Sequence, residues 1–254
     1  MAESAPTRAE VCVVACAEAW RGDGEVMASP FGTIPGLGAR VARLTFEPDL
    51  VLTDGEAALM ANTPAMGSGP EDIVIEAWMP YRRVFELLWS GRRHIMMMAS
   101  QVDRFGNQNL SVIGDWARPK AQLIGTRGAP GNTINHPTSY WVPNHSKRTF
   151  VEHVDMVCGI GYDRAAKLGT SARFHEIRFV VSNLGVFDFA TPDHAMRLRS
   201  VHPGVSVEEV VEQTGFDLAV GDNVPSTRAP SGLELDLIRR VLDPAALRDR
   251  ELPQ

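Results

Sequence analysis

The chain has 254 residues, 44% of them hydrophobic and 22% charged, an ordinary globular composition that excludes a disordered or collagen-like protein. Its formal net charge of −6 and the lack of a basic stripe exclude a sequence-neutral nucleic-acid binder. A chain of this length buries a core without staples, and three cysteines, Cys12, Cys16 and Cys158, cannot pair completely, which suits a reducing cytoplasm.

The N-terminal segment carries Glu3 and Glu10, and its alanine-rich apolar stretch is broken by Glu18, unlike a secretory leader. No stretch reaches the roughly 20 apolar residues of a membrane helix. A cytoplasmic protein that spans no membrane is expected. Residues 7–21 predict a helix stopped by Gly22 and Gly24, with Cys12 and Cys16 one turn apart in apolar surroundings, as buried thiols rather than metal ligands. Helical spacing over 38–46 ends at Pro48, and 50–53 reads as a short buried strand. Residues 72–78 read as the next strand, and Pro80 opens a helix over 81–89. The apolar run 94–99 predicts a strand covered on both faces, where Met96, Met97 and Met98 alternate across the sheet and cannot converge on one ion.

Short strands alternating with helices imply βαβ units, hence an α/β fold with an open, mostly parallel sheet flanked by helices, read as one domain over 1–254. The second half changes character. Strands are expected at 148–157 and 176–182, and a hairpin of 186–190 with 196–201 around a turn at 191–193 makes the C-terminal part mixed. Ser206 with Glu209 and Ser231 with Glu234 have capping-box spacing and open two late helices, the second reaching Leu242, with a linker over 221–230.

Familiar catalytic signatures are missing: the chain has no GxxxxGK[ST] phosphate loop and no GxSxG elbow. Arg164 stands where a dinucleotide fingerprint starting at Gly159 and Gly161 needs its third glycine. His136, His145 and His153 are too far apart for a local zinc signature, so no metal site is expected. Arg82 with Arg83 and Arg92 with Arg93 are placed on the solvated surface by default, with ligand phosphates as the alternative. Three polar stretches stand out. Asp54-Gly55-Glu56 follows a strand, where open α/β sheets place ligands, although a turn carboxylate bonding its own backbone is the plainer reading. Residues 100–109 hold Gln101, Asp103, Asn107, Gln108 and Asn109, groups that orient a polar substrate or form Asx turns. Residues 125–136 are rich in glycine and include Asn132 and His136; such a loop lets a ligand approach backbone N–H groups able to hold an oxyanion. All three are expected on the carboxyl edge of one sheet.

The order of Asp54-Gly55-Glu56, VDRFGNQN at 102–109, GAPGNTIN at 128–135, VVSNLGVFDF at 180–189, HPGVSVEEVVEQTGF at 202–216 and ELDLIRRVLDP at 234–244 resembles the beta subunit of class I coenzyme A transferases, from about residue 7 onward. The resemblance implies the three-layer fold of that family, no cofactor other than the CoA of the substrate, and an alpha subunit as partner in an alpha2beta2 heterotetramer. Transferase beta subunits carry a nucleophilic glutamate in a Ser-Glu-Asn-Gly motif. The matching stretch here begins at Thr53, with the shorter Asp54 in the glutamate's place and Glu56 displaced by two residues. Since about 1 Å of misplacement can cost on the order of 100-fold in rate, a different use of the pocket is implied.

The likeness extends to family members that keep the thioester and hydrolyse a carbon–carbon bond. It implies a cyclic β-keto acyl-CoA substrate, the last ring of a degraded steroid, opened by a retro-Claisen step with the main base on the alpha subunit. A true transferase exchanging CoA between acids through Asp54 or Glu56 is the alternative. The resemblance then assigns Asp54 and Glu56 to positioning water or substrate, Gln101, Asn107 and Asn132 to substrate hydrogen bonds, Gly128 and Gly131 to backbone donors, and His136 to either the substrate or the core. Tyr140 to Val142 and Val186 with Phe187 are expected to form either the subunit interface or ordinary core.

Overall fold

The structure, a computed structural model, describes residues 5–55 and 57–252. Its centre is a seven-stranded sheet in the order Met27–Pro30, Arg93–Met98, Pro137–Val142, Glu176–Ser182, Gly185–Asp188, Arg197–Val201, Ala219–Val220. The first four strands run parallel, the hairpin that follows is antiparallel, and the last strand pairs parallel with its neighbour. The sheet is therefore mostly parallel with a mixed C-terminal part, as the strand pattern implies.

Alternation along each strand feeds two cores. Met96, Trp141, Val181 and Val186 face a layer made by the helices Arg8–Ala17 and Thr33–Thr45. Ile95, Met97, Tyr140, Val142, Val180 and Phe187 face the other side, which is covered by loops and short helices. The three consecutive methionines behave as their spacing predicts: Met96 and Met97 enter opposite cores and Met98 reaches the surface. The first helix is buried on all sides from Ala9 to Ala17, and its start is fixed by a reciprocal Thr7–Glu10 capping box. Cys12 and Cys16 are fully buried free thiols whose pKa burial raises. The second helix begins at Thr33 rather than 38, because the Glu251 carboxylate accepts the Thr33 N–H at 2.5 Å and the Trp141 indole N–H at 2.5 Å. The C-terminal segment thereby pins a helix start and a central strand.

Other elements depart from expectation. The central strand Pro137–Val142 replaces the strand expected at 148–157. There the N–H groups of Thr149 and Phe150 turn back onto the Ser146 carbonyl, leaving a loop with one bridge, Phe150 to Val102. Tyr140, Trp141, Val142, Val186 and Phe187 are buried inside the chain, so they are core and not a subunit surface. Leu52–Thr53 joins Ala58–Met60 and Ile75–Trp78 in a small antiparallel sheet, tied to the main sheet by one bridge between Met27 and Val51. The second capping box, Ser231 with Glu234, is reciprocal, and the helix it opens runs to Leu242 with its last turns widened to π geometry.

Candidate active site

A cleft of about 540 Å³ lies on the second face of the main sheet. Its floor is the strand Arg93–Met98, which presents Arg93, Ile95 and Met97 from alternate positions. One wall is the helix Arg83–Ser90 with Val84, Phe85 and Leu88, preceded by Tyr81. The opposite wall is the start of the helix Ala129–Asn135, with Gly128, Ala129 and Asn132. Phe31 and Ile124 add to the rim, and both are more than half exposed. This is the make-up of a small-molecule site, an apolar hollow with a few convergent polar groups, large enough for the acyl part of a ligand.

The polar groups meet at Arg93. Its Nε donates to the Ser29 hydroxyl at 2.9 Å and its Nη1 to the Asn132 side-chain oxygen at 2.9 Å, while the Asn132 amide nitrogen rests 3.5 Å from the Met97 sulfur. Arg93 is 8% exposed. Among the described residues no carboxylate comes within 4.0 Å of it. Burial lowers its pKa to about 10, which leaves it cationic at neutral pH. The surface default for this arginine is thus corrected: it opens an inward-facing strand, two residues before Ile95 and four before Met97. That shared parity was the available signal.

The expected site residues divide. Gly128 and Asn132 line the cleft. Gly131 lies in the wall helix, where an added Cβ would stand 3.3 Å from Leu88 Cδ1, so its small size lets the two walls approach. His136 is buried outside the cleft. Burial drives its pKa to about 4, against the hydrogen bond from its ring to the Pro137 carbonyl and with help from the Arg93 charge, so the ring is neutral at pH 7. Gln101 and Asn107 do not line the cleft. The Gln101 amide donates to Asp155 and accepts from Asn109 and the Asp155 N–H. The Asn107 amide donates to both Asp103 and Asp163 and accepts the Gly161 N–H. Burial raises the Asp103 carboxyl to about 6 against these hydrogen bonds, with the Asp163 charge adding to the rise.

Asp54 turns the hairpin of the small sheet. Its Oδ1 accepts the N–H groups of Ala57 and Ala58, both at 3.0 Å, the arrangement of a carboxylate bonding its own turn. It is not among the residues lining the cleft. Glu56 lies outside the described residues. The three stretches do not share one sheet edge: residues 100–109 follow a strand of the main sheet, 125–136 lead into one, and Asp54 belongs to the small sheet. Among the described residues no group of His, Cys, Asp and Glu gathers as a metal ion requires. Ser139, His94 and Asp23 form a nucleophile-like array, with Oγ to Nε2 at 2.9 Å and Nδ1 to Oδ2 at 2.6 Å. Ser139 and His94 are wholly buried, so the array ties strands together and meets no substrate.

Residues 22–213 match the model of the family described as Coenzyme A transferase. The chain is 55% identical over 246 residues to the Cholesterol ring-cleaving hydrolase IpdB subunit of Rhodococcus jostii (strain RHA1), covering 97% of this chain and 96% of that one. It is 30% identical over 216 residues to one of the subunits of the 3-oxoadipate CoA-transferase of Pseudomonas knackmussii, covering 81% and 82%. The crystal structure of Rhodococcus jostii RHA1 IpdAB contains a chain that superposes with a TM-score of 0.94 at 54% identity, covering 99% of this chain and 100% of that one.

Proposed function

The chain belongs to the coenzyme A transferase family, and we infer that within it the protein is the beta subunit of a hydrolase that opens the last steroid ring of a cyclic β-keto acyl-CoA in cholesterol catabolism. The observation that carries this reading is identity over half of nearly the whole chain to a ring-cleaving hydrolase subunit, against a much more distant likeness to transferases. The cleft suits it: its apolar walls fit a carbocycle, and Arg93 and Asn132 offer donors toward the oxygens of the acyl group.

In this reading water adds to the ring ketone, and the bond between that carbon and the α-carbon breaks. The electron pair of the broken bond passes to the α-carbon as a thioester enolate, which then takes a proton. The ketone carbon becomes a carboxylate at the other end of the same open-chain product, the CoA thioester stays intact, and no cofactor is consumed. We assign the general base to an alpha subunit sharing the active site, in an alpha2beta2 assembly, and a part in positioning water or substrate to Asp54 and Glu56. Gly128 and Asn132 bind the acyl group; Gly131 and His136 shape the wall behind it. Gln101 and Asn107 hold the loop that follows the floor strand, since their amides are occupied within the chain. Trp78, Tyr81 and Trp89 are each at least 70% exposed beside the cleft, and we assign this apolar surface to the alpha partner. A cytoplasmic location agrees with three buried free thiols, and among the described residues no helix is long and apolar enough to cross a membrane.

The test is co-purification with the alpha subunit followed by mass spectrometry of products from a panel of acyl-CoAs. The isolated chain should be inactive and the complex should open cyclic β-keto acyl-CoAs. Turnover of those substrates by the isolated chain, or CoA exchange as the complex's main activity, would overturn the reading.

A further inference from the structure

Two arginines line the cleft, Arg127, which is exposed, and Arg93, which is buried in the floor; the chain supplies Arg93 with two neutral acceptors and no counter-charge among the described residues. Burying an unpaired ion is strongly unfavourable even after relaxation. The other arginine of equal burial among the described residues, Arg248, pairs with Asp243 and Glu10. The cleft therefore holds a preorganised cation whose two bonds to Ser29 and Asn132 set the plane of the guanidinium and leave its second terminal nitrogen without a hydrogen bond among the described residues. The surrounding Ile95, Met97 and Leu88 are apolar, so charge pairing there is poorly screened.

We propose that Arg93 is the anion-holding residue of the cleft, pairing with an anionic oxygen of the acyl group while Ser29 and Asn132 fix its orientation. This rests on the ring-opening reading and sharpens it. The oxygen has two chemical sources. One is a carboxylate already carried by the ring as a side arm. The other is the enolate of the 1,3-dicarbonyl unit formed by ring ketone and thioester, together with the oxyanion that develops as the ring opens.

The experiment compares the wild-type complex with complexes carrying Arg93→Met, Arg93→Lys or Asn132→Asp. Two probes are used, 2-oxocyclohexanecarboxyl-CoA and the same ring bearing a pendant carboxylate, and both affinity and turnover are measured. Whether the wild-type complex opens the rings judges the ring-opening reading alone; the ratio of variant to wild type in affinity, and in turnover where it occurs, judges Arg93. If the side-arm carboxylate is the partner, Arg93→Met weakens binding of the carboxylate-bearing probe by about 30-fold or more and leaves the plain ring unchanged. If the enolate or oxyanion is the partner, both probes suffer, and turnover falls by on the order of 100-fold. Arg93→Lys should recover part of either loss, because it keeps a point charge without the fork. Asn132→Asp is nearly isosteric and sets a carboxylate beside the guanidinium, so it should reproduce the Arg93→Met loss without lowering the thermal midpoint; this keeps the test decisive even if Arg93→Met folds poorly. A folded Arg93→Met or Asn132→Asp complex that keeps affinity and turnover for both probes within about threefold of wild type would overturn the proposal.

Discussion

At the scale of single residues, the difference proposed between this chain and an acyl-shuttling enzyme lies in the carboxylate at position 54. Its Oδ1 is engaged by the N–H groups of Ala57 and Ala58, so it organises the turn that carries it. Asparagine keeps that acceptor. The Asp54→Asn complex should therefore retain ring hydrolysis within about tenfold, whereas losing a true nucleophile costs on the order of 1,000-fold or more. Steady-state rates on the cyclic acyl-CoA make the comparison, and a loss of the larger size would return the residue to a covalent role. Asp54 and Arg93 also show how much of the site could be read from sequence. The turn reading of Asp54 needed only its neighbours, since Asx turns are local. Arg93 could not be read the same way: an arginine beside Arg92 looks solvated until the strand parity is combined with knowledge of which face carries the cleft.

At the scale of elements, signals that are local were legible: the 176–182 strand and the Ser231–Glu234 capping box stand where periodicity and spacing put them, while Ser206 caps its helix by accepting the Glu209 N–H without a reciprocal bond from the Glu209 side chain. The strand Pro137–Val142 was not legible, since it starts at a proline after a glycine-rich run and owes its place to pairing on both sides with distant segments. Of the two readings of the loop 100–109, substrate-orienting groups or Asx turns, the second is local and stands: Asp103 Oδ1 accepts the N–H groups of Phe105 and Asn107, and Asn109 Oδ1 that of Ser111. The loop's long-range partners, Asp155, Asp163 and Gly161, are more than fifty residues on, and only folding brings them to Gln101 and Asn107. Gly161 is the tightest point of that clasp. A Cβ there would stand 2.3 Å from the Phe105 carbonyl oxygen and 2.6 Å from the Asn107 nitrogen, both backbone atoms that cannot swing away. Gly161→Ala should cost about 3 kcal/mol and lower the thermal midpoint of the complex by roughly 5–10 °C. An unchanged midpoint would mean that the loop is not clasped as described.

At the scale of the whole molecule, buried neutral histidines set the response to acid. Burial holds His145 at about 3, while His136 and His202 are held at about 4 by burial against their backbone hydrogen bonds, compared with 6.5 when unfolded. Each contributes stability that is fully present above 6.5 and is lost as pH falls toward its folded value, because the unfolded chain takes up the proton first. Asp103 opposes them: raised from 3.8 to about 6, it favours the folded state most below 3.8 and loses that contribution as pH rises through 6. Three groups outweigh one, so the urea midpoint of the complex should be lower at about pH 5 than at about pH 7.5; a higher midpoint at the acid value would contradict these environments. The function proposed for the assembly is tested most directly by turnover in water labelled with heavy oxygen. The account predicts one heavy atom in a new carboxylate of a product that still carries its CoA thioester. Release of free CoA as the first event, or a thioester formed between CoA and a carboxylate of this chain, would contradict it.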